Sequence, residues 1–441
     1  MDHVAKLEKA PLGKLVFSMC THASLALLVY SFYTLTDTFI IARGVNVYAA
    51  GAVSVASPLL MLLLAFSTTA GAGGASLISR GLGKEDQSYP AKVAANIFVC
   101  FWGLALVITS LGLTFLDPLL RLLGATGELY PYAREYSTVI LAGAVTSTAF
   151  SSLVRAEGAT TFALCLWVVP VAVNLILDVI FVFPLNMGVT GAALATVAAQ
   201  ITSVCMSIWF FFVRKGRAYR IKGQDFQISP SIIREVAVIG FPSLLNQISS
   251  SILVIVLNRM LGATGGEPAI TAFAFAVRIQ TFLLLPQNGI AQGIQPIIGY
   301  NFTRENIDRV KKTINIAFSA SIIYGVVIVI FGILIRQPLM EIFTDDSAII
   351  STGSTVLLFM LMAMPIRGYS PLISACYQSI GDARKAILLP TLGFCAIQFP
   401  VLMIMSRLGG LSGVFWSFFL SDILIFALAF SFGGRLRKLG V

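Results

Sequence analysis

The stretch KLVFSMCTHASLALLVYSFYTLTDTFIIAR, residues 14–43, decides how the chain must fold. It contains no carboxylate before Asp37, and apolar side chains dominate its whole length. About 20 consecutive apolar residues are enough for a helix to cross a bilayer. The stretch therefore predicts a transmembrane helix, and Asp37 is an ionisable acid inside it.

The composition of the whole chain agrees with a membrane protein. Of the 441 residues, 57% are hydrophobic and 11% are charged, whereas ordinary soluble domains carry roughly 25% charged residues. The net charge of +10 is spread over short tracts between apolar segments, which favours a membrane topology over a nucleic-acid partner. The six cysteines lie in apolar segments without a CxxC pair, so we expect no metal site and no disulfide. We also expect no cleaved signal peptide.

Twelve apolar segments are long enough to span a bilayer, and several contain Gly or Pro, which predicts tilted or bent helices. The predicted spans are 14–43, 49–79, 92–115, 131–154, 161–183, 188–213, 232–261, 268–299, 312–335, 347–377, 385–406 and 410–433.

The distribution of lysine and arginine orients these spans. With the N-terminus in the cytoplasm, 22 of the 30 basic residues fall on cytoplasmic segments and six on outer segments. Cytoplasmic loops carry an excess of Lys and Arg. We therefore predict a multi-pass protein of the inner (plasma) membrane, with both termini cytoplasmic.

The two halves of the chain resemble each other. Pro118 pairs with Pro338, Gly158 with Gly381, and Gly191 with Gly413, at an offset near 220 residues. An even number of helices in each half makes the repeats parallel, related by an axis along the membrane normal. We predict an all-α membrane protein of two six-helix lobes around a central cleft: an N-terminal lobe (1–213), a cytoplasmic linker (214–231) and a C-terminal lobe (232–441).

The sequence at this point resembles the multidrug and toxic compound extrusion (MATE) family. QGIQPIIGYNFTREN, residues 292–306, is similar to the end of the eighth helix in that family, and MGVTGAALATVAAQ, residues 187–200, to the start of the sixth. The resemblance extends over essentially the whole chain, although related flippases share the fold. It implies a secondary transporter that works by alternating access.

The DinF-like branch of that family carries an aspartate in helix 1, an Asn-xxx-Asp pair in helix 5 and a threonine in helix 6. These positions correspond to Asp37, Asn174, Asp178 and Thr196. The resemblance implies that the two aspartates accept a coupling ion and that the other two supply oxygen ligands or hydrogen bonds. Some members bend helix 1 at a proline, but this helix has no proline after Pro11, so a proline-driven bend is not expected.

The residues themselves lead to the same positions. Of the 20 acidic residues, Asp37, Asp178 and Asp422 lie deep in apolar spans, where a charge is costly and functional use is the default hypothesis. Counted from the outer helix ends, Asp37, Asp178 and Thr196 lie roughly 8–12 Å below the outer surface. Asn174 and Asp178 are spaced i, i+4 and therefore share one helix face.

Two aspartates in a poorly hydrated lobe cannot both stay charged cheaply. Either H⁺ or Na⁺, bound by Asp37, Asn174, Asp178 and Thr196, relieves the repulsion. The alternative is that the aspartates only make hydrogen bonds that hold the lobe together. The second lobe has Pro400 and Ala396 where the first has Asp178 and Asn174, so coupling is expected in the first lobe alone.

Polar residues in the second lobe are candidates for the substrate cleft. Gln280 and Gln287 lie near one face of the eighth span, and Arg278 and Arg367 are arginines within spans. One alternative is that these side chains line a hydrated cleft and contact the substrate. The other is that they form hydrogen bonds between helices, with Asp422 in a buried ion pair. Two arginines could attract an anionic head group, which would favour a lipid-linked substrate.

We expect a cation-coupled antiporter that exports small amphipathic organic compounds, works as a monomer in the lipid bilayer and has no cofactor besides H⁺ or Na⁺. The first rival is a lipid-linked precursor flippase of the same superfamily. The second is an intramembrane enzyme, for which the sequence shows no nucleophile or metal cluster. Short loops leave no room for a nucleotide-binding domain, so an ion gradient must supply the energy.

Overall fold

The computed structural model describes residues 3–45, 47–123, 129–146, 150–344 and 346–438, and over these ranges the chain is helical and contains no β-strand. Because lipid offers no hydrogen-bond partner to the backbone, a chain this apolar satisfies its peptide groups within helices. In the first half the helices are α1 His3–Lys9, α2 Leu12–Gly44, α3 Val47–Gly83, α4 Ser88–Thr114, α5 Leu116–Leu122, α6 Leu129–Ala142, α7 Phe150–Ala156, α8 Thr160–Val182 and α9 Gly188–Ile208.

The second half continues the pattern with fewer and longer elements. Its helices are α10 Pro230–Thr303, α11 Ile307–Glu341, α12 Ser347–Met362, α13 Met364–Arg367, α14 Tyr369–Ile380, α15 Ala383–Leu392 and α16 Phe399–Lys438. Short 3₁₀ segments lie at Ala144–Thr146 and Gly223–Phe226, and π-helical segments at Trp209–Val213 and Gly393–Gln398.

Over the described residues, all twelve predicted spans fall on helical elements, and the all-α membrane fold is confirmed. Among the described residues, six helices are long and apolar enough to cross a membrane, and up to eight if each of two bent pairs forms one span. The bent pairs are Leu129–Ala142 with Ala144–Ala156, at 50°, and Ser347–Met362 with Met364–Ile380, at 46°. They correspond to the fourth and tenth predicted spans, so the same break occurs in both repeats. Residues 1–2 and 439–441, to which the cytoplasmic-termini prediction applies, lie outside the described residues.

The structure differs from the predicted span boundaries in two places. The seventh and eighth spans form one continuous helical element, α10, where the sequence suggested a loop at 262–267. The eleventh span runs through α15, the π-helical segment Gly393–Gln398 and the start of α16, which continues into the twelfth span. Gly410 breaks α16 with φ 53° and ψ −130°. Glycine has no Cβ to oppose this conformation, and the break falls where the sequence placed the boundary.

Clustering of the contacts divides the chain into two compact units. The first contains residues 1–9 and 25–240, and the second contains 10–24 and 241–441. The segment expected to be a linker, 214–231, therefore belongs to the first unit, and so does the start of α10. Conversely, the first part of α2 belongs to the second unit.

Each unit has its own apolar core. In the first unit, one core lies between α2, α3, α6, α8 and α9 and includes Ile40, Ile41, Tyr136, Val182 and Val189. In the second unit, the core draws on α10, α11, α12 and α16. The first of these cores is the one that lies next to the acidic residues of the membrane interior.

Candidate functional site

The four residues predicted to bind a cation are all buried in the first unit. Asp37 on α2 is 5% exposed, Asn174 and Asp178 on α8 are 1% and 0% exposed, and Thr196 on α9 is 4% exposed. Three helices thus bring together two carboxyl groups, an amide and a hydroxyl without access to bulk water. Burial of this kind leaves each polar atom dependent on the others for partners.

The two carboxyl groups lie within hydrogen-bonding reach of each other. A carboxyl–carboxyl hydrogen bond requires a proton on one partner, because two carboxylates only accept. The Oδ1 atoms of Asp37 and Asp178 have no hydrogen-bond partner among the described residues. Two buried carboxyl oxygens therefore keep lone pairs that no described donor uses.

Asn174 and Thr196 form a hydrogen-bond network with Asp178. With the Asn174 amide oriented by its hydrogen bonds, its Nδ2 donates to Asp178 Oδ2 at 2.8 Å and its Oδ1 accepts from the Thr196 backbone N–H at 3.2 Å. The Thr196 hydroxyl in turn lies 3.2 Å from the Tyr33 hydroxyl. The amide thus fixes one oxygen of Asp178 and leaves the other open.

Pro170 helps to set α8 against α9. Proline has no N–H, so the carbonyl of Leu166 one turn earlier loses its helical partner. The Ser203 hydroxyl of α9 donates to that carbonyl at 3.3 Å. This bond joins the two helices about two turns from Asn174 and Thr196, and it helps to hold α8 against α9.

Tyr33 is a site residue that the sequence reasoning missed. It lies four residues before Asp37 on α2, and this spacing puts both side chains on one helix face. Its ring lies 6.0 Å from that of Tyr30, which packs edge-on against Trp167 at 5.3 Å. The i, i+4 spacing from an intramembrane acid was the available signal.

The second unit has an apolar core at the equivalent positions. The repeat offset places Leu257 opposite Asp37 and Phe418 opposite Thr196, and these side chains are 1% and 8% exposed within the second core. Pro400 stands opposite Asp178. At these described positions, the second unit therefore has no counterpart of the acidic cluster.

The predicted cleft residues lie in different surroundings within the second unit. Gln287 is 1% exposed, and its Nε2 donates to the Met364 carbonyl at 2.8 Å, where the helix breaks before Pro365. Gln280 is 6% exposed, and its Nε2 has no partner among the described residues. Arg278 is exposed. Gln287 thus stabilises the break between α12 and α13 in this structure.

Arg367 and Asp422 form an ion pair between α13 and α16, with Arg367 Nη1 3.3 Å from Asp422 Oδ2. Their side chains are 24% and 10% exposed. The repeat offset relates this pair to Thr146 and Gln200 in the first unit, whose Oγ1 and Oε1 atoms are 3.0 Å apart. In both units the broken helix is therefore tied to the last helix of the repeat, by a neutral bond in one and an ion pair in the other.

The family model described as MatE matches residues 23–180 and 242–404. The multidrug export protein MepA of Staphylococcus haemolyticus (strain JCSC1435) is 27% identical over 424 residues, covering 94% of this chain and 92% of that protein.

Two solved structures have the same fold over almost the whole chain. The outward-facing conformation of a multidrug resistance MATE family transporter of the MOP superfamily superposes with a TM-score of 0.92 at 25% identity, covering 99% of this chain and 98% of that one. A MOP superfamily transporter from Pyrococcus furiosus Vc1 (DSM3638), whose binding pocket is of reverse polarity, gives a TM-score of 0.92 at 25% identity, with 98% and 97% covered.

Proposed function

This chain belongs to the MatE family, and from that premise we propose that it is a multidrug efflux transporter driven by the entry of H⁺ or Na⁺. The observation that carries the proposal is the contact between the Asp37 and Asp178 carboxyl groups inside the first unit. Coupling requires a site whose occupancy changes the relative stability of two conformations. A pair of buried acids with two unpartnered oxygens is such a site.

The electrostatics of the Asp37–Asp178 pair explain why binding and release of a cation would change its stability. Two carboxylates in contact repel each other, and in a medium of low dielectric the repulsion amounts to several kcal/mol. A proton shared between the two carboxyl groups, or a Na⁺ held by Asp37 and Asp178, would remove the repulsion. Binding therefore favours the helix arrangement that keeps α2 and α8 together, and release favours one that separates them.

Alternating access then follows from the duplicated architecture. Transporters built from repeats expose a central site to one side of the membrane at a time by moving the repeats. Because the second unit has Leu257 and Phe418 at the equivalent positions, we assign the coupling step to the first unit and substrate contacts to residues of the second. Gln280, Gln287, Arg278 and Arg367 remain proposed substrate contacts.

The substrates we propose are small amphipathic organic compounds. The alternative is a lipid-linked precursor flippase, for which an unpaired arginine would have to attract an anionic head group. Arg367 is paired with Asp422, which leaves that pair neutral overall and favours organic compounds. The flippase is the second candidate, since Arg278, the other arginine within the spans, is exposed.

We place the protein in the inner (plasma) membrane as a monomer with both termini in the cytoplasm. The support for this orientation is the excess of basic residues on that side, 22 of 30. The chain belongs to a family of transporters, and we propose no catalytic activity for it.

The test is efflux of a fluorescent amphipathic cation, ethidium, from proteoliposomes under separately imposed proton and Na⁺ gradients. We expect one gradient to drive efflux, and both Asp37→Asn and Asp178→Asn to abolish it. The matched control is Asp117→Asn, an exposed acid paired with Arg134 at 3.1 Å, which should retain efflux. Undiminished gradient-driven efflux in both buried variants would contradict the assignment.

A further inference from the structure

The segment that joins the two repeats, residues 214–240, is held against the first unit along its whole length. It comprises the stretch between the π-helical end of α9 and Pro230, together with the first turns of α10. A connection between mobile repeats is expected to be exposed and poorly anchored. Here three separate groups of contacts, all within the first unit, anchor it.

The first anchor is a buried ion pair between Arg217 and Glu157, which follows α7. Both side chains are 3% exposed. The Arg217 guanidinium lies over the rings of Phe210, Phe211 and Tyr219 at 4.8, 4.5 and 4.7 Å. Its Nη1 also donates to the Phe211 carbonyl at 2.7 Å. An arginine enclosed by three aromatic rings and one carboxylate is fixed in position.

Burial raises the pKa of the Glu157 carboxyl, and the Arg217 charge beside it acts in the opposite direction. Neither charge has access to bulk water, so each is costly without the other. The pair therefore holds residues 214–219 against the α7–α8 turn for as long as both partners are present.

The second anchor is Asn96 on α4, which is 2% exposed. Its Nδ2 donates to the Gln227 carbonyl at 3.2 Å, and its Oδ1 accepts from the Ser229 backbone N–H at 2.7 Å. A single amide thus satisfies two backbone groups of the segment just before α10. Displacing the segment would leave this buried amide without partners.

The third anchor is close helix packing between α3 and the start of α10. A Cβ at Gly73 would lie 2.0 Å from the Val236 carbonyl oxygen, and one at Gly240 would lie 2.0 Å from the Thr69 carbonyl oxygen. Glu235 adds an ion pair with Arg80 at 3.2 Å. Small residues that allow two helix backbones to touch are typical of tight packing within membranes.

The same arrangement occurs at the repeat-equivalent place in the second unit. Residues 10–24 of α2 belong to that unit, and a Cβ at Gly289 or Gly293 would lie within 2.7 Å of the Ser24 or Cys20 backbone. The Ser24 hydroxyl donates to the Pro286 carbonyl at 3.1 Å. Gly289 and Gly293 correspond to Thr69 and Gly73 at an offset of 220.

We propose that residues 214–240 move as a rigid part of the first unit, that Arg217 is the residue that positions them, and that the joint leading to the second unit lies within α10 beyond Gly240. The equivalent joint in α2 then lies beyond Ser24. The inference goes beyond ion coupling and substrate, and it holds for any relative movement of the units. In this proposal the chain bends within α10 beyond Gly240, and residues 214–240 do not act as a flexible linker.

The test measures a distance inside the first unit by pulsed electron resonance, without measuring transport. Spin labels replace the exposed residues Lys84 and Gln224, in a chain whose six cysteines are replaced by serine or alanine. We expect a single narrow distance distribution in nanodiscs, unchanged between pH 5 and pH 8 and on addition of Na⁺ or ethidium.

Loss of the anchor should loosen the segment. We expect Glu157→Gln to broaden the distribution at least about twofold, because it leaves the Arg217 charge buried and unpaired. Arg217→Lys, which keeps the charge but loses the planar stacking, should broaden it less. The matched control is Lys215→Gln, an exposed charge two residues away, which should change nothing.

Two results would overturn the proposal. One is a broad or multiple distribution in the natural sequence, and the other is a Glu157→Gln distribution as narrow as the control. If Glu157→Gln does not fold, Asn96→Ala applies the same criterion to the second anchor. Because no step depends on the coupling ion, failure here is distinguishable from failure of the proposed antiport.

Discussion

Asp37 of α2 and Asp178 of α8, far apart in the sequence, place their carboxyl groups within hydrogen-bonding reach of each other inside the first unit. They are 5% and 0% exposed, and each keeps an oxygen without a partner among the described residues. Such a pair is costly to maintain unless a proton or cation shares it. This contact is the basis on which we propose ion coupling in the first unit.

Neutralising Asp37 should separate substrate binding from ion coupling. In Asp37→Asn we expect the Kd for ethidium, measured by fluorescence polarisation, to become independent of H⁺ and Na⁺ concentration. Binding itself should stay within about threefold, because the amide keeps the shape of the side chain. Asp117→Asn should keep the cation dependence of the natural sequence. A cation dependence that persists in Asp37→Asn would contradict the coupling role.

The Thr196 hydroxyl should modulate the affinity of the site for the cation without being essential for cation binding. Thr196→Val removes the contact with the Tyr33 hydroxyl at 3.2 Å but leaves the backbone N–H that bonds Asn174. The loss of one hydrogen bond should raise the cation concentration for half-maximal efflux about three- to tenfold. Thr196→Ser retains the hydroxyl and should behave like the natural sequence. Equal behaviour of the valine and serine variants would show that the hydroxyl plays no part.

An acid introduced at the equivalent place in the second unit should destabilise it. Leu257 is 1% exposed in an apolar core, so Leu257→Asp buries a carboxyl without partners and should lower the free energy of unfolding by at least about 3 kcal/mol. Leu257→Met, which conserves volume, should cost less than about 1.5 kcal/mol. Thermal unfolding in detergent measures both. A stable Leu257→Asp protein would show that water or another group reaches this position.

The close contact between α3 and α10 should tolerate no side chain at Gly73. Gly73→Ala should lower the free energy of unfolding by about 1–3 kcal/mol, because its Cβ would overlap the Val236 carbonyl and force the helices apart. The matched control is Gly103→Ala on α4, where a Cβ meets nothing within 4 Å. It should be neutral or stabilising by up to about 1 kcal/mol. If thermal unfolding shows the same change in stability for Gly73→Ala and Gly103→Ala, the two helix backbones are not in contact at Gly73.

The Arg367–Asp422 pair should contribute as a pair. Arg367→Gln or Asp422→Asn alone should cost about 1–3 kcal/mol, because the remaining charge is largely buried. The double variant should recover more than half of that loss, since two neutral amides can bond as Thr146 and Gln200 do. Arg134→Gln breaks a pair whose side chains are 58% and 52% exposed and should cost less than about 1 kcal/mol. Additive losses in the double variant would mean that the two residues act separately.

The candidate site was largely predictable, because its residue types are conspicuous in this composition. An acid in an apolar helix is costly, so Asp37 and Asp178 stood out, and the i, i+4 spacing put Asn174 with the latter. Tyr33 was missed because a tyrosine in an apolar span carries no such cost. The hydrogen bond from the buried Gln287 side chain to the Met364 carbonyl could not be predicted from the sequence either, because it depends on where the tenth span breaks.

The extent of the two units depends on tertiary contacts, whereas the spans depend on local apolar length. The eleventh predicted span ends at residue 406 and the twelfth begins at 410, and the structure breaks the helix at Gly410. The assignment of residues 10–24 and 214–240 was different. It depends on contacts such as those of Gly73, Asn96 and Arg217, which join positions distant in the chain.

By itself, the sequence determined the membrane class, the twelve helical spans, the internal repeat and the identity of the intramembrane acids. These depend on apolar length and on the local satisfaction of backbone hydrogen bonds, both of which a linear pattern contains. Tertiary structure alone decided that the Asp37 and Asp178 oxygens meet, that Arg217 lies enclosed by aromatic rings, and where one unit gives way to the next. Each of these depends on how helices rotate and pack against distant partners, and no local period in the sequence specifies that rotation.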